Sequence, residues 1–64
     1  MADNVMFTRE ASEIGLKPGE WPEYITFNGQ TWQRRARDCT EDGELLAVKY
    51  QHTNSRHELV VLND

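Results

Sequence analysis

The chain has a single cysteine, Cys39, no long apolar run and none of the short motifs that mark common catalytic sites. Each absence narrows the reading. One cysteine cannot form an intramolecular disulfide, and without a Cys-x-x-Cys pair there is no thiolate set for zinc. A lone thiol suits a reducing compartment. The opening Met1-Ala2-Asp3-Asn4 lacks the basic start and apolar stretch of a signal peptide, and no segment approaches the roughly 20 apolar residues of a membrane span. The expected location is the cytoplasm, with no membrane partner.

Glycine-rich phosphate loops ending in Lys-Ser or Lys-Thr, Gly-x-Ser-x-Gly elbows and His-Glu-x-x-His pairs are all missing. The only serines are Ser12 and Ser55. Ser55 lies near His57, but a nucleophile needs a base held by a third group in a sheltered cleft, which a thin sheet rarely offers. His52 and His57 fall opposite each other across a hairpin, yet two imidazoles without a further ligand make an incomplete metal site. They read as solvated residues flanking a turn. The expectation is a protein that is not an enzyme, with no catalytic residues, no metal and no cofactor.

A chain of 64 residues forms one domain at most and buries only about 60% of its unfolded surface. Such a core supplies no more than roughly 3 to 5 kcal/mol. The net charge of −4 opposes the basic character of most nucleic-acid binders. Acids dominate residues 1 to 23, whereas Arg34, Arg35 and Arg37 stand together later. No internal repeat or low-complexity tract is present.

What is present is a series of strand and turn signals. Tyr24-Ile25-Thr26-Phe27, Asn28-Gly29 and Gln30-Thr31-Trp32-Gln33 predict a type I′ hairpin, because Asn-Gly accepts positive φ at both central positions. That register sets Phe27 against Gln30, Ile25 against Trp32, Glu23 against Arg34 as an ion pair, and Trp21 against Ala36. Glu41-Asp42-Gly43 predicts a three-residue loop with Gly43 left-handed, which pairs Ala36 with Val48 and Asp38 with Leu46; a two-residue loop would pair Arg37 with Val48. With Asn54-Ser55 as the last tip, Leu59 and Val61 face Tyr50 and Val48. One apolar face then collects Ile25, Phe27, Trp32, Ala36, Leu46, Val48, Tyr50, Leu59 and Val61.

The fold class is therefore mainly β: an antiparallel four-stranded meander over residues 22–63, open or curled into a small barrel, with residues 1–21 covering one face. Within the cover, Thr8 is a candidate cap for a short helix over Arg9 to Ile14 stopped by Gly15, with Leu16 folding back. An extended edge strand at Val5-Met6-Phe7 is the alternative.

The same register places Arg35, Arg37 and Gln33 on the opposite face, with Lys49 directly across from Arg35. Facing like charges are destabilising, so this stripe is solvated, covered by acids or occupied by an anion. Leu45, Ala47, Val60 and Leu62 form an apolar half of that face, with Cys39 at its margin. No basic residue immediately adjoins Cys39, which reads as a small half-buried apolar residue and not a reactive thiol. A sheet apolar on both sides needs two covers, and about 20 residues outside the meander supply one. The expected function is a non-catalytic interaction module, a homo-oligomer through Leu45, Ala47, Val60 and Leu62. The alternative is single-stranded nucleic acid or another anionic ligand on Arg35, Arg37 and Lys49, with Tyr24 as a stacking ring.

Overall fold

The computed structural model describes residues 5–17 and 19–63. The chain is mainly β, a five-stranded mixed sheet curled into a half-barrel. The strands are β1 (Met6–Glu10), β2 (Tyr24–Phe27), β3 (Gln30–Cys39), β4 (Leu45–His52) and β5 (Glu58–Leu62), in the spatial order β1-β5-β4-β3-β2. Strands β2 to β5 form the expected meander. The fifth strand comes from the amino-terminal segment, where β1 pairs in parallel with β5 and sets Phe7 beside Leu59. The extended alternative is thus the one adopted over Met6–Glu10, and only a 3-10 turn comes after it at Ala11–Ile14.

That turn starts later than a Thr8 cap would place it. Glu10 is the residue before the turn, and its backbone N–H donates to the Glu13 carboxylate at 2.8 Å, one half of a reciprocal capping box. Gly15 ends the turn at φ 78°, and Leu16 N–H returns to Ala11 O at 3.0 Å. The stop at Gly15-Leu16 lies where its glycine predicts; only the helix in front of it is shorter.

Because β1 and β2 occupy opposite edges, the chain between them must cross the inner face of the curl. Ala11, Ile14, Leu16 and Trp21 pack there against Ile25, Trp32, Val48, Tyr50, Leu59 and Val61. Two polar contacts fix the crossing chain. The Arg34 guanidinium donates to Trp21 O, and Tyr50 OH donates to Pro22 O at 2.6 Å. Arg34 N–H donates to Glu23 O at 2.7 Å, so the expected neighbours do meet. They meet through backbone, and the guanidinium serves Trp21 in place of the expected ion pair with the Glu23 carboxylate.

Two of the three predicted hairpin registers hold along their paired strands, but the expected pairing of Trp21 with Ala36 does not form: the β2–β3 ladder ends at Tyr24 and Gln33, Trp21 packs on the inner cluster, and the bulge at Arg35 sets Ala36 across from Lys49. Asn28 and Gly29 both have positive φ, 55° and 73°, and pair Phe27 with Gln30 and Ile25 with Trp32. Across the last turn, Tyr50 meets Leu59 and Val48 meets Val61. The middle hairpin needs correction. Its loop is the three-residue type: Gly43 lies at φ 85°, Gly43 N–H donates to Thr40 O at 3.0 Å and Thr40 N–H to Glu44 O at 2.8 Å. The ends of the ladder match too, with Trp32 across from His52, Arg34 from Tyr50 and Cys39 from Leu45.

Between those ends, register shifts at Arg34/Ala36 and Asp38/Cys39 offset the pairing by one residue. Arg35 is the extra residue on β3 and Leu46 the extra residue on β4. A bulge reverses the facing of the residues beyond it, and a second bulge on the partner strand restores the ladder. Hence Ala36 sits across from Lys49 and is exposed, Arg37 sits across from Val48, and Leu46, expected in the core, is 48% exposed. Leu45 takes its place and packs against the inner cluster.

Candidate functional site

Alternation along the strands, read across the observed pairings, gives the outer face three cross-strand rows. Gln33, Gln51, Glu58 and Met6 form one, with Tyr24 beside Gln33. Ala36, Lys49, Val60 and Thr8 form the second, and Asp38, Ala47, Leu62 and Glu10 the third. No segment among the described residues crosses this face as residues 11–17 and 19–23 cross the inner one.

The expected apolar patch is present in part. Ala47 is buried, Val60 is half-buried and Leu62 is exposed, all on the outer face. Leu45 is not with them, because the Leu46 bulge turns it inward. Leu46, at that bulge, is the large apolar residue that the sequence pattern did not assign to this end of the molecule. Two adjacent leucines at the start of a strand were the available signal: one of them must leave the core face unless a bulge intervenes, and the pattern alone does not say which. Cys39, expected half-buried at this margin, is exposed.

The expected basic stripe is divided. Arg35, Arg37, Lys49 and Tyr24 are all exposed. Lys49 faces Ala36, not Arg35, and Arg37 falls in line with Val48, on the side of the sheet away from Lys49. Acidic groups stand in two of the outer rows, with Glu58 across from Gln51 and Glu10 across from Leu62. The outer face is mixed in charge.

A feature that no sequence motif marks lies where the β4–β5 turn meets this face. Gln33, Arg35, Gln51, His52, Thr53 and Ser55 line an open depression of about 190 Å³. Gln33 Nε2 donates weakly to Tyr24 OH at 3.4 Å, Thr53 Oγ1 donates to Thr31 O at 3.2 Å, and Ser55 Oγ accepts from His57 N–H at 3.2 Å. The two glutamines face each other across β3 and β4, a juxtaposition legible only once the register is known.

The histidines are structural in their contacts. Their rings lie 6.2 Å apart, edge to face, and His52 packs edge-on against Trp32 at 5.0 Å. Each Nδ1 accepts a backbone N–H, His52 from Asn54 at 2.9 Å and His57 from Val5 at 3.1 Å. Those nitrogens are occupied, and no cluster of three or more His, Cys, Asp or Glu that could hold a metal occurs among the described residues. Ser55 reaches the backbone of His57, not its imidazole, so the pair lacks nucleophile-to-base geometry in this structure.

At the same end but on the inner face, Phe7, Phe27 and Trp32 make edge-to-face contacts at 5.6 to 6.0 Å, and the Arg9 guanidinium lies 5.4 Å from the Phe27 ring. Trp32 Nε1 donates to Phe27 O at 2.9 Å. These contacts bridge the gap between the two edge strands by side chains. On the inner face, burial pushes the Tyr50 hydroxyl above its ordinary pKa of 10.0, while the nearby positive Arg34 pulls the other way. Comparison with protein-family models, curated proteins and solved structures finds no match to this chain.

Proposed function

We propose that this protein is a non-catalytic interaction module that associates with a second copy of itself through the outer face around Leu62. The observation that carries the reading is the alternation on β5. Leu59 and Val61 are fully buried under the crossing chain, while Val60 and Leu62 share with Ala47 the outer face, which no described segment crosses. Leu62 is 38% exposed and Leu46, at the same end, 48%.

The charge pattern suits a self-complementary contact. A two-fold interface brings each residue near its counterpart's neighbours, so Lys49 in the central row can face Glu10 or Asp38 of the other copy. A standard interface takes about 800 Å² per partner, roughly a sixth of the 4619 Å² exposed here. The contact would therefore extend past Leu62 to the flanking polar rows. Nucleic-acid binding along Arg35, Arg37 and Lys49 finds less support, because the three cations do not share a face.

Sedimentation equilibrium at micromolar concentration tests the reading. The expected result is a dimer for the wild type and a folded monomer for Leu62→Asp, since a charge placed in an apolar contact must be desolvated without a partner. A wild type that stays monomeric throughout overturns it.

A further inference from the structure

We infer that the depression at the β4–β5 turn is a binding site for a single phosphate group, held by Arg35. The inference does not rest on self-association, which is centred on Leu62 at the other end of the outer face. Its first support is the set of lining groups. Arg35 supplies a cation, Gln33 and Gln51 supply amide donors, and the turn supplies the Ser55 hydroxyl, whose oxygen already accepts a hydrogen bond and whose proton is left to donate. None of the lining residues is acidic.

The second support is the bulge. Arg34 and Arg35 are chain neighbours of identical chemistry, yet Arg34 is consumed by the Trp21 carbonyl. Arg35 is the extra residue outside the regular ladder, exposed, with no hydrogen bond or ion pair from its side chain among the described residues. Bulges re-aim a side chain at the cost of one rung of pairing. Here the re-aimed group is a guanidinium at the wall of a polar hollow, the side chain best suited to grip a phosphate through two parallel hydrogen bonds.

Size and shape narrow the ligand. At about 30 Å³ per water, 190 Å³ holds roughly six waters, well under the 300 Å³ at which small-molecule pockets usually begin. That space encloses one anionic group, and the rest of any larger ligand would project into solvent. Donors arrive from β3, β4 and the turn, which suits tetrahedral oxygens better than a planar carboxylate. Glu58, across from Gln51, lies beside the site without lining it and weakens the attraction.

The test is an NMR titration of the ¹⁵N-labelled full chain with inorganic phosphate, ionic strength being held constant with chloride, with parallel arms using a phosphate monoester and acetate. Saturable shifts are expected at the Gln33 and Gln51 side-chain amides and the backbone of residues 53–55, for phosphate and the monoester more tightly than for acetate. Arg35→Ala should weaken binding about ten- to a hundredfold, the loss expected of a charged hydrogen-bonding partner. Arg37→Ala should leave it unchanged. Glu58→Gln, which keeps every lining residue, should tighten it. Shifts that never saturate, equal response in Arg35→Ala, or acetate binding as well as phosphate would each overturn the assignment.

Discussion

Val61 and Leu62 are adjacent in the chain and similar in chemistry, but Val61 is fully buried while Leu62 is 38% exposed. The same contrast runs across the whole sheet. Inside the curl, Trp32, Val48, Tyr50, Leu59 and Val61 are almost wholly removed from water, under a crossing chain held by Arg34 and Tyr50. Outside it, Tyr24, Gln33, Lys49 and Leu62 meet solvent. The crossing chain covers the inner face, which therefore carries the core, and the outer face is where the proposed self-association would take place.

The largest effect expected from breaking this division is at Trp32. Its replacement by Ala removes a fully packed anchor and should cost about 3 to 5 kcal/mol, as much as a domain of this size has in reserve. Trp32→Ala is expected to be unfolded or molten at room temperature, by loss of a cooperative thermal transition. An unchanged melting midpoint would mean that the inner and outer faces are inverted.

Next in size is the I′ turn that sets Trp32 against Ile25. Gly29 has φ 73°, where a side chain costs about 1 to 2 kcal/mol. The space around it is open, so Gly29→Ala should lower the denaturation midpoint through backbone strain alone.

A smaller effect is expected at Tyr50. Its hydroxyl is pushed above 10.0 in the fold, so the unfolded chain loses this proton first as pH rises. Stability from Tyr50 is complete below pH 10 and declines as pH climbs from there through the folded-state value. Tyr50→Phe should remove that part of the alkaline dependence and cost about 1 kcal/mol for the lost bond to Pro22 O, both visible in denaturant melts against pH. The smallest effect is on the outer face, where Gln33→Ala should change stability by less than about 0.5 kcal/mol.

Local signals carried most of the inner face. Asn28-Gly29 fixed one ladder through its positive φ, and the length of the turn around Asn54-Ser55 fixed another. Two features lay beyond local signals. The β1–β5 pairing joins Phe7 to Leu59, more than fifty residues apart, and an alternating five-residue segment has no mark naming its partner. The bulges at Arg35 and Leu46 bear no glycine or proline to announce them. They decided the site: one moved Leu45 inward and Leu46 out, and the other parted Lys49 from Arg35 and set Arg35 at the depression. The candidate residues were thus legible as types, whereas their grouping depended on ladder irregularities that emerge only when the whole sheet closes on its core.

Methyl NMR with a soluble paramagnetic agent tests the division of faces most directly, because β5 alone carries both kinds of residue. In dilute solution the methyls of Leu62 and Leu46 should broaden strongly, while those of Leu59 and Val61 stay sharp. As the protein is concentrated, the Leu62 methyls should become protected by the second copy. Equal broadening of Leu59, Val61 and Leu62 would contradict the inner core, and Leu62 methyls that remain accessible at every concentration would contradict the outer interface.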